Sequence, residues 1–186
     1  MTRDDRDHWD ARYTDAEGPL ADVENPPDAF RGVEHLFPTT GTALDVACGP
    51  GVGSVWLARR GLTVWGVDVS PIAIASANEL ADQHEVQGQC RFDVVDLDVG
   101  LPDGPLVDVL LCHLFRGQNL VEPMIERLAL GGVLAVAVLS EVGAEPGLFR
   151  APPGELVAAF GHLEVLDQDE ADGRAWMVAR LPRVPR

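Results

Sequence analysis

Leu44–Ala58 reads L-D-V-A-C-G-P-G-V-G-S-V-W-L-A, an apolar strand, a glycine-rich turn and the start of a helix. Gly49, Gly51 and Gly53 allow the backbone to turn tightly and to approach a ligand where a Cβ would collide. The helix that follows presents free N–H groups at its start. Taken alone, the segment is either a tight βα turn with no ligand or the turn of a binding site. The neighbouring sequence weighs between the two.

Around this turn, strand-like and helix-like stretches alternate. Thr42–Cys48, Leu62–Val67 and Arg91–Val95 are short, apolar or β-branched, and bounded by turn signals. Leu106–Cys112 and Val133–Leu139 are nearly continuous apolar runs, as expected of strands buried on both faces of a parallel sheet. Helical patterns at Gly53–Arg60, Ile72–Asp82 and Leu120–Leu130 separate them. Ser70-Pro71 reads as an N-cap followed by proline at the first helical position, and Asn119 is placed to cap the third helix. Alternation of this kind implies right-handed βαβ crossovers and a doubly wound sheet. Near the end, Glu155–Phe160 is helical, and strand-like His162–Leu166 and Ala175–Leu181 flank an acidic turn at Asp169–Gly173, an antiparallel hairpin at one sheet edge. Asp28–Phe37 reads as a helical stretch after Pro26-Pro27. The expectation is a single domain over 1–186, with a helical N-terminal segment (1–38) and an α/β core (40–181).

Three carboxylates converge on the glycine turn. Asp68 closes the second strand about 20 residues past Gly49, where an acid bonds the ribose of a nucleotide-like ligand. Asp45 lies inside the first strand, a place for a carboxylate that braces the turn or faces a cation. Asp96 follows the third strand, at the position of an adenine edge. All three fall at the carboxyl ends of adjacent strands, the edge at which open α/β sheets bind ligands. A dinucleotide fingerprint would place its third small residue at position 54, which is Ser54, while a glycine arrives one residue early at Gly53. A pyrophosphate is a poor neighbour for Asp45; a sulfonium or ammonium group is a good one.

Composition removes several alternatives. The 186 residues suffice for a core without metals or disulfides, since roughly 70% of the unfolded surface is buried at this length. All 14 basic residues are arginine. Without lysine there is no G-x-x-x-x-G-K-[ST] phosphate loop, no Schiff base and no strand-lysine kinase site. A net charge of −16 repels phosphate backbones and anionic membranes, so neither nucleic acid nor membrane is an expected partner. Cys48, Cys90 and Cys112 lack C-x-x-C spacing, the five histidines are scattered, and no metal site is expected. The N-terminal stretch has no apolar signal core, and the expectation is a cytoplasmic protein. Nothing in the sequence speaks to oligomeric state.

D-V-A-C-G-P-G-V-G, Val67-Asp68-Val69-Ser70-Pro71, Asp96-Leu97, Val107–Leu111 and Leu130-Gly131-Gly132-Val133-Leu134, in that order, resemble the class I S-adenosylmethionine-dependent methyltransferases. The head, Trp9–Tyr13 and Asn25–Phe30, and the tail, Pro153–Leu166, are similar to the tellurite-resistance and thiopurine methyltransferase-like branch. The resemblance implies a Rossmann-like seven-stranded sheet in the order 3-2-1-4-5-7-6, with strand 7 antiparallel and helices on both faces. It implies S-adenosyl-L-methionine as cofactor, with Gly49 and Gly51 passing its methionine part, Asp45 ordering the turn and reaching its amino group through water or directly, and Ala47 and Val69 as further cofactor-binding residues. Asp68 would take both ribose hydroxyls, Asp96 with the Leu97 amide would read the adenine, and Cys112 and His113 would lie near the transferring methyl. Ala47 and Cys48 replace the commoner Gly-Cys or Gly-x pair of that family. Ser140–Pro152 is short for a substrate cap.

Methyl transfer from a sulfonium is an in-line displacement that depends on alignment, worth roughly 7–11 kcal/mol, more than on acid–base groups. The expected acceptor is a small molecule. His113 is the candidate base for an oxygen or nitrogen acceptor, its unperturbed pKa near 6.5 suiting the task; the plain alternative is a strand-end histidine satisfied locally. Trp9 and Tyr13, four residues apart, form either an aromatic lid on the cofactor or one face of a packed amphipathic helix. Arg116 and Arg150 are the basic residues placed towards the acceptor. Two other functions remain open: a cofactor-binding module without catalysis, and a nicotinamide oxidoreductase.

Overall fold

The computed structural model describes residues 22–183. Its strands are β1 (Gly41–Val46), β2 (Leu62–Asp68), β3 (Cys90–Val94), β4 (Val107–His113), β5 (Leu128–Ser140), β6 (Arg150–Ala151), β7 (Glu164–Ala171) and β8 (Arg174–Arg180). They form one sheet in the order β3-β2-β1-β4-β5-β8-β7, with the two-residue β6 pairing beside this path with β5. Apart from β6, this is the order 3-2-1-4-5-7-6. β3, β2, β1, β4 and β5 run parallel to one another. β8 is antiparallel to β5, from Val133↔Arg180 to Leu139↔Arg174.

The period of two along each strand divides the core between the sheet's faces. Leu44, Val46, Leu110, Cys112, Leu134, Val136, Ala175 and Met177 pack on one face with Leu120, Met124, Leu156 and Phe160. The last two belong to helix α4 (Glu155–Phe160), and Met124 to α3 (Val121–Glu126). Ala43, Val109, Leu111, Val133, Ala135, Ala137 and Val178 pack on the other face with Val55, Trp56 and Leu57 of α1 (Val52–Arg59), with Ala81 of α2 (Pro71–Gln83), and with Phe30 and Phe37. The Ser70 hydroxyl accepts from the Ala73 amide at 3.1 Å, capping α2 ahead of Pro71 as the sequence suggests.

Several elements differ from expectation. The helix expected over Leu120–Leu130 is a 3-10 turn (Gln118–Leu120) followed by the short α3. Leu128 already pairs with Val107 as the start of β5, and Gly131 at φ +83 cannot continue a helix. Asn119 lies inside that 3-10 turn, its amide directed to the carbonyls of Leu97 and Asp98 at 3.4 Å. Asp28–Phe37 is not one helix but two 3-10 turns, Asp28–Phe30 and Glu34–Leu36, interrupted by Gly32 at φ +90. The hairpin turn is tighter than Asp169–Gly173: β7 continues to Ala171, and only Asp172 (φ 50) and Gly173 (φ 79) turn the chain. Two residues of positive φ with the sequence Asp-Gly are the signature of a type I′ hairpin.

Candidate active site

The glycine turn opens with Ala47 at φ 55, followed by Gly49 at φ 53 and Gly51 at φ 83. A Cβ on Gly51 would lie 2.7 Å from the Ala77 Cβ, so this glycine permits α1 and α2 to approach. A Cβ on Gly53 would meet Leu111 Cδ2 at 2.6 Å and Asp45 Oδ2 at 3.2 Å, so Gly53 lets α1 sit on the sheet beside a buried carboxylate. Ser54, where a dinucleotide fingerprint wants a small residue, donates its hydroxyl to Asp45 Oδ2 at 2.6 Å. The amides of Gly49 and Ser70 donate to the two oxygens of Asp68, each at 2.9 Å, fixing that carboxylate at the end of β2.

Asp45 is 2% exposed, and burial, aided by the charge of nearby Asp68, pushes its carboxyl up to about 7 against the pull of the Ser54 hydroxyl. Among the described residues no arginine forms an ion pair with it. Both carboxylates line a cleft of about 630 Å³ at the carboxyl edge of the parallel strands. Ala47, Gly49, Val69, Leu97 and His113 line the same cleft. A buried acid on the verge of protonation beside a second acid suits a ligand bearing positive charge and hydroxyl groups. Sulfonium, ammonium and ribose meet that requirement.

A family model described as "Methyltransferase domain" matches residues 43–131, the stretch holding the glycine turn, Asp45, Asp68, Leu97 and His113. The chain carries a class I S-adenosylmethionine-dependent methyltransferase domain. It is 30% identical over 138 residues to "Ubiquinone biosynthesis O-methyltransferase" of Psychrobacter cryohalolentis, covering 69% of this chain and 50% of that protein. Over 55 residues it is 44% identical to "Ribosomal RNA small subunit methyltransferase C" of Alcanivorax borkumensis, covering 30% of this chain and 17% of that protein. The chain thus spans half or less of the length of these curated relatives. The crystal structure of TehB from Haemophilus influenzae has the same fold, with a TM-score of 0.67, 20% identity, and coverage of 94% of this chain and 66% of that one.

Other residues singled out in the sequence sit differently in this methyltransferase domain. Gly51, Asp96 and Cys112 do not line the cleft. Asp96 Oδ1 accepts from the Asp98 amide at 3.0 Å, while the adjacent Leu97 reaches the cleft wall. Cys112 alternates with His113 along β4 and lies in the core of the opposite face, its thiol directed to the Phe115 carbonyl at 3.5 Å and pushed up to about 12 by burial. Trp9 and Tyr13 lie outside the described residues. Arg116 forks onto Glu155, and Arg150 caps the carbonyls of Ser140 and Gly173 at 2.7 and 2.9 Å; neither lines the cleft.

His113 lines the cleft, but burial, reinforced by the positive charge of Arg174, lowers its pKa to about 4, with Asp28 opposing. It is a neutral imidazole near pH 7, and the unperturbed value that suited a base does not hold here. The sequence reading missed Pro27, Asp28, Leu114, Phe115, Leu139 and Arg174, all of which wall the cleft. Leu114, at φ 60 and 40% exposed, is a bulky residue in left-handed backbone directly after β4, and strain of that kind collects at ligand sites. No local sequence signal announces a leucine in that conformation.

Proposed function

We propose that the protein methylates a small-molecule acceptor by direct in-line displacement from S-adenosylmethionine. The observation that carries this reading is the buried Asp45 beside Asp68 at the glycine turn, a pair shaped for a cationic, ribose-bearing ligand. When bound, the cofactor supplies an electrophilic methyl whose bond to sulfur breaks, the electron pair returning to sulfur, as an acceptor lone pair forms the new bond. Asp45 faces the ligand's positive charge, and Asp68, fixed by two backbone amides, receives the ribose hydroxyls. Val69 and Leu97 flank the bound nucleoside, and Leu111, Leu114 and Phe115 help exclude water from the reacting end.

A histidine at about 4 binds a proton too weakly to carry one away at neutral pH. His113 therefore orients the acceptor as a neutral polar group. The acceptor enters already ionised or loses its proton to water. The size of the cleft, about 630 Å³, and the net charge of −16 favour a small acceptor over RNA. The O-methyltransferase relative supports an oxygen acceptor, while the ribosomal RNA methyltransferase relative aligns over a much shorter stretch.

The test is release of S-adenosylhomocysteine from S-adenosylmethionine with phenol, thiol and ribosomal RNA acceptors offered in parallel. Turnover with a phenol or thiol supports the reading. Turnover with RNA alone overturns the small-molecule assignment, and tight cofactor binding without turnover on any acceptor identifies a silent binding module.

A further inference from the structure

Arg174 opens β8 directly after the Asp172-Gly173 turn and sits opposite Leu139 of β5. In the same register Trp176 faces Ala137, which pairs on its other side with His113. Alternation puts Arg174 on the face of Trp176, where Phe30 packs with its ring centroid 6.4 Å from Trp176 and 6.0 Å from His113. Arg174, Leu139 and His113 all line the cleft. Two strand spacings, roughly 10 Å, separate β4 from β8, a span a guanidinium on a long stem closes in part.

The other described arginines from Arg31 to Arg180 are engaged. Arg31, Arg59, Arg91, Arg116 and Arg180 pair with carboxylates. Arg60, Arg127 and Arg150 donate to backbone carbonyls. The Arg174 side chain, by contrast, has no ion pair or hydrogen bond among the described residues, in a chain with 30 acidic side chains. Asp22 and Asp28, which also reach the cleft, are held by Arg31 at 3.1 and 2.9 Å, leaving Arg174 as a cation at that wall with no acid paired to it among the described residues. Beside it, His113 Nε2 is buried with no hydrogen-bond partner among the described residues. A buried polar atom left so is costly, which marks this wall as incomplete without a bound group.

We propose that Arg174 binds the carboxylate of an anionic acceptor, a small hydroxy- or mercapto-carboxylic acid whose reacting end lies on the His113 side of the cleft. This deepens the methyltransferase reading and rests on it. A guanidinium matches a carboxylate through two parallel N–H donors, and the apolar wall of Leu114, Phe115 and Leu139 accommodates the body joining the two polar ends.

The test uses the full chain saturated with S-adenosylhomocysteine, titrated calorimetrically with 4-hydroxybenzoate and with the isosteric 4-hydroxybenzamide, in the unsubstituted protein and in Arg174→Gln. The expected result is at least tenfold tighter binding of the acid than of the amide. In Arg174→Gln that preference disappears, while affinity for S-adenosylhomocysteine stays within twofold. Equal or absent binding of the two probes, a preference that survives in Arg174→Gln, or loss of S-adenosylhomocysteine affinity in that variant each overturns the assignment. Failure of the unsubstituted protein to bind S-adenosylhomocysteine is a distinct result, and it removes the methyltransferase reading itself.

Discussion

The Ser54 hydroxyl lies 2.6 Å from Asp45 Oδ2, joining the first turn of α1 to the inside of β1 where both side chains are almost fully buried. The Ser54 hydroxyl and, more weakly, the Ser54 backbone amide draw the Asp45 carboxyl down against the burial that raises it. Ser54→Ala removes the stronger of these donors from a buried carboxylate. Denaturant unfolding should show a loss of about 1–3 kcal/mol at pH 8 and a smaller loss at pH 5, where the carboxyl is protonated.

Asp45 itself links stability to pH in the direction opposite to a salt-bridged acid. Its folded-state value, about 7, lies above the 3.8 of an unperturbed aspartate, so the unfolded chain ionises first as pH rises. Below the lower value it costs nothing; between the two the fold loses stability; above about 7 the full penalty is present. Asp45→Asn keeps an acceptor for Ser54 and removes the charge. The variant should be more stable than the unsubstituted protein at pH 8, by a few kcal/mol at most, with the gap closing towards pH 4. Equal stability at both pH values would show that Asp45 titrates normally.

The ammonium group of the ligand favours ionised Asp45, so the same group imposes a pH dependence on binding. Affinity for S-adenosylhomocysteine should fall as pH drops from 7.5 to 5.5, approaching tenfold per unit at the low end. Asp45→Asn should bind more weakly at pH 7.5 and lose that slope.

Backbone conformation at the turn predicts opposite outcomes at two neighbouring positions. Ala47 holds φ 55, which costs a non-glycine residue about 1–2 kcal/mol, so Ala47→Gly should leave stability unchanged or raise it by up to about 1 kcal/mol. Gly51 combines φ 83 with a Cβ position 2.7 Å from Ala77 Cβ, so Gly51→Ala should destabilise by about 2–4 kcal/mol. Thermal unfolding of both variants checks the pair.

His113 should titrate with a midpoint near 4 when followed by NMR of its ring protons. Its depressed value means that stability falls as pH drops from about 6.5, where the unfolded ring takes up its proton, to about 4. A midpoint near 6.5 would restore His113 as a base.

Much of this was legible in the sequence. Long apolar runs such as Val133–Leu139 have few ways to be buried other than as central strands, and the glycine turn with Asp45 and Asp68 marks the ligand edge through local chemistry. The acceptor wall was not legible, because it depends on register. With the hairpin turn spread over Asp169–Gly173, Arg174 falls outside the strand; the two-residue Asp172-Gly173 turn brings it into β8 opposite Leu139. A one-residue shift in a strand changes which face every side chain occupies, and hydrophobic pattern alone does not fix the last residue of a hairpin. Arg116 and Arg150 looked suitable by position, but their partners, Glu155 and the Ser140 and Gly173 carbonyls, come from elements distant in sequence.

The most direct measurement is calorimetric titration of the purified protein with S-adenosylhomocysteine, with NADH and the Asp68→Ala variant as controls. Micromolar binding by the unsubstituted protein, at least hundredfold weaker binding by Asp68→Ala, and no response to NADH are the predicted results. Absence of S-adenosylhomocysteine binding, or binding that Asp68→Ala leaves intact, would contradict the assignment of this cleft as the cofactor site.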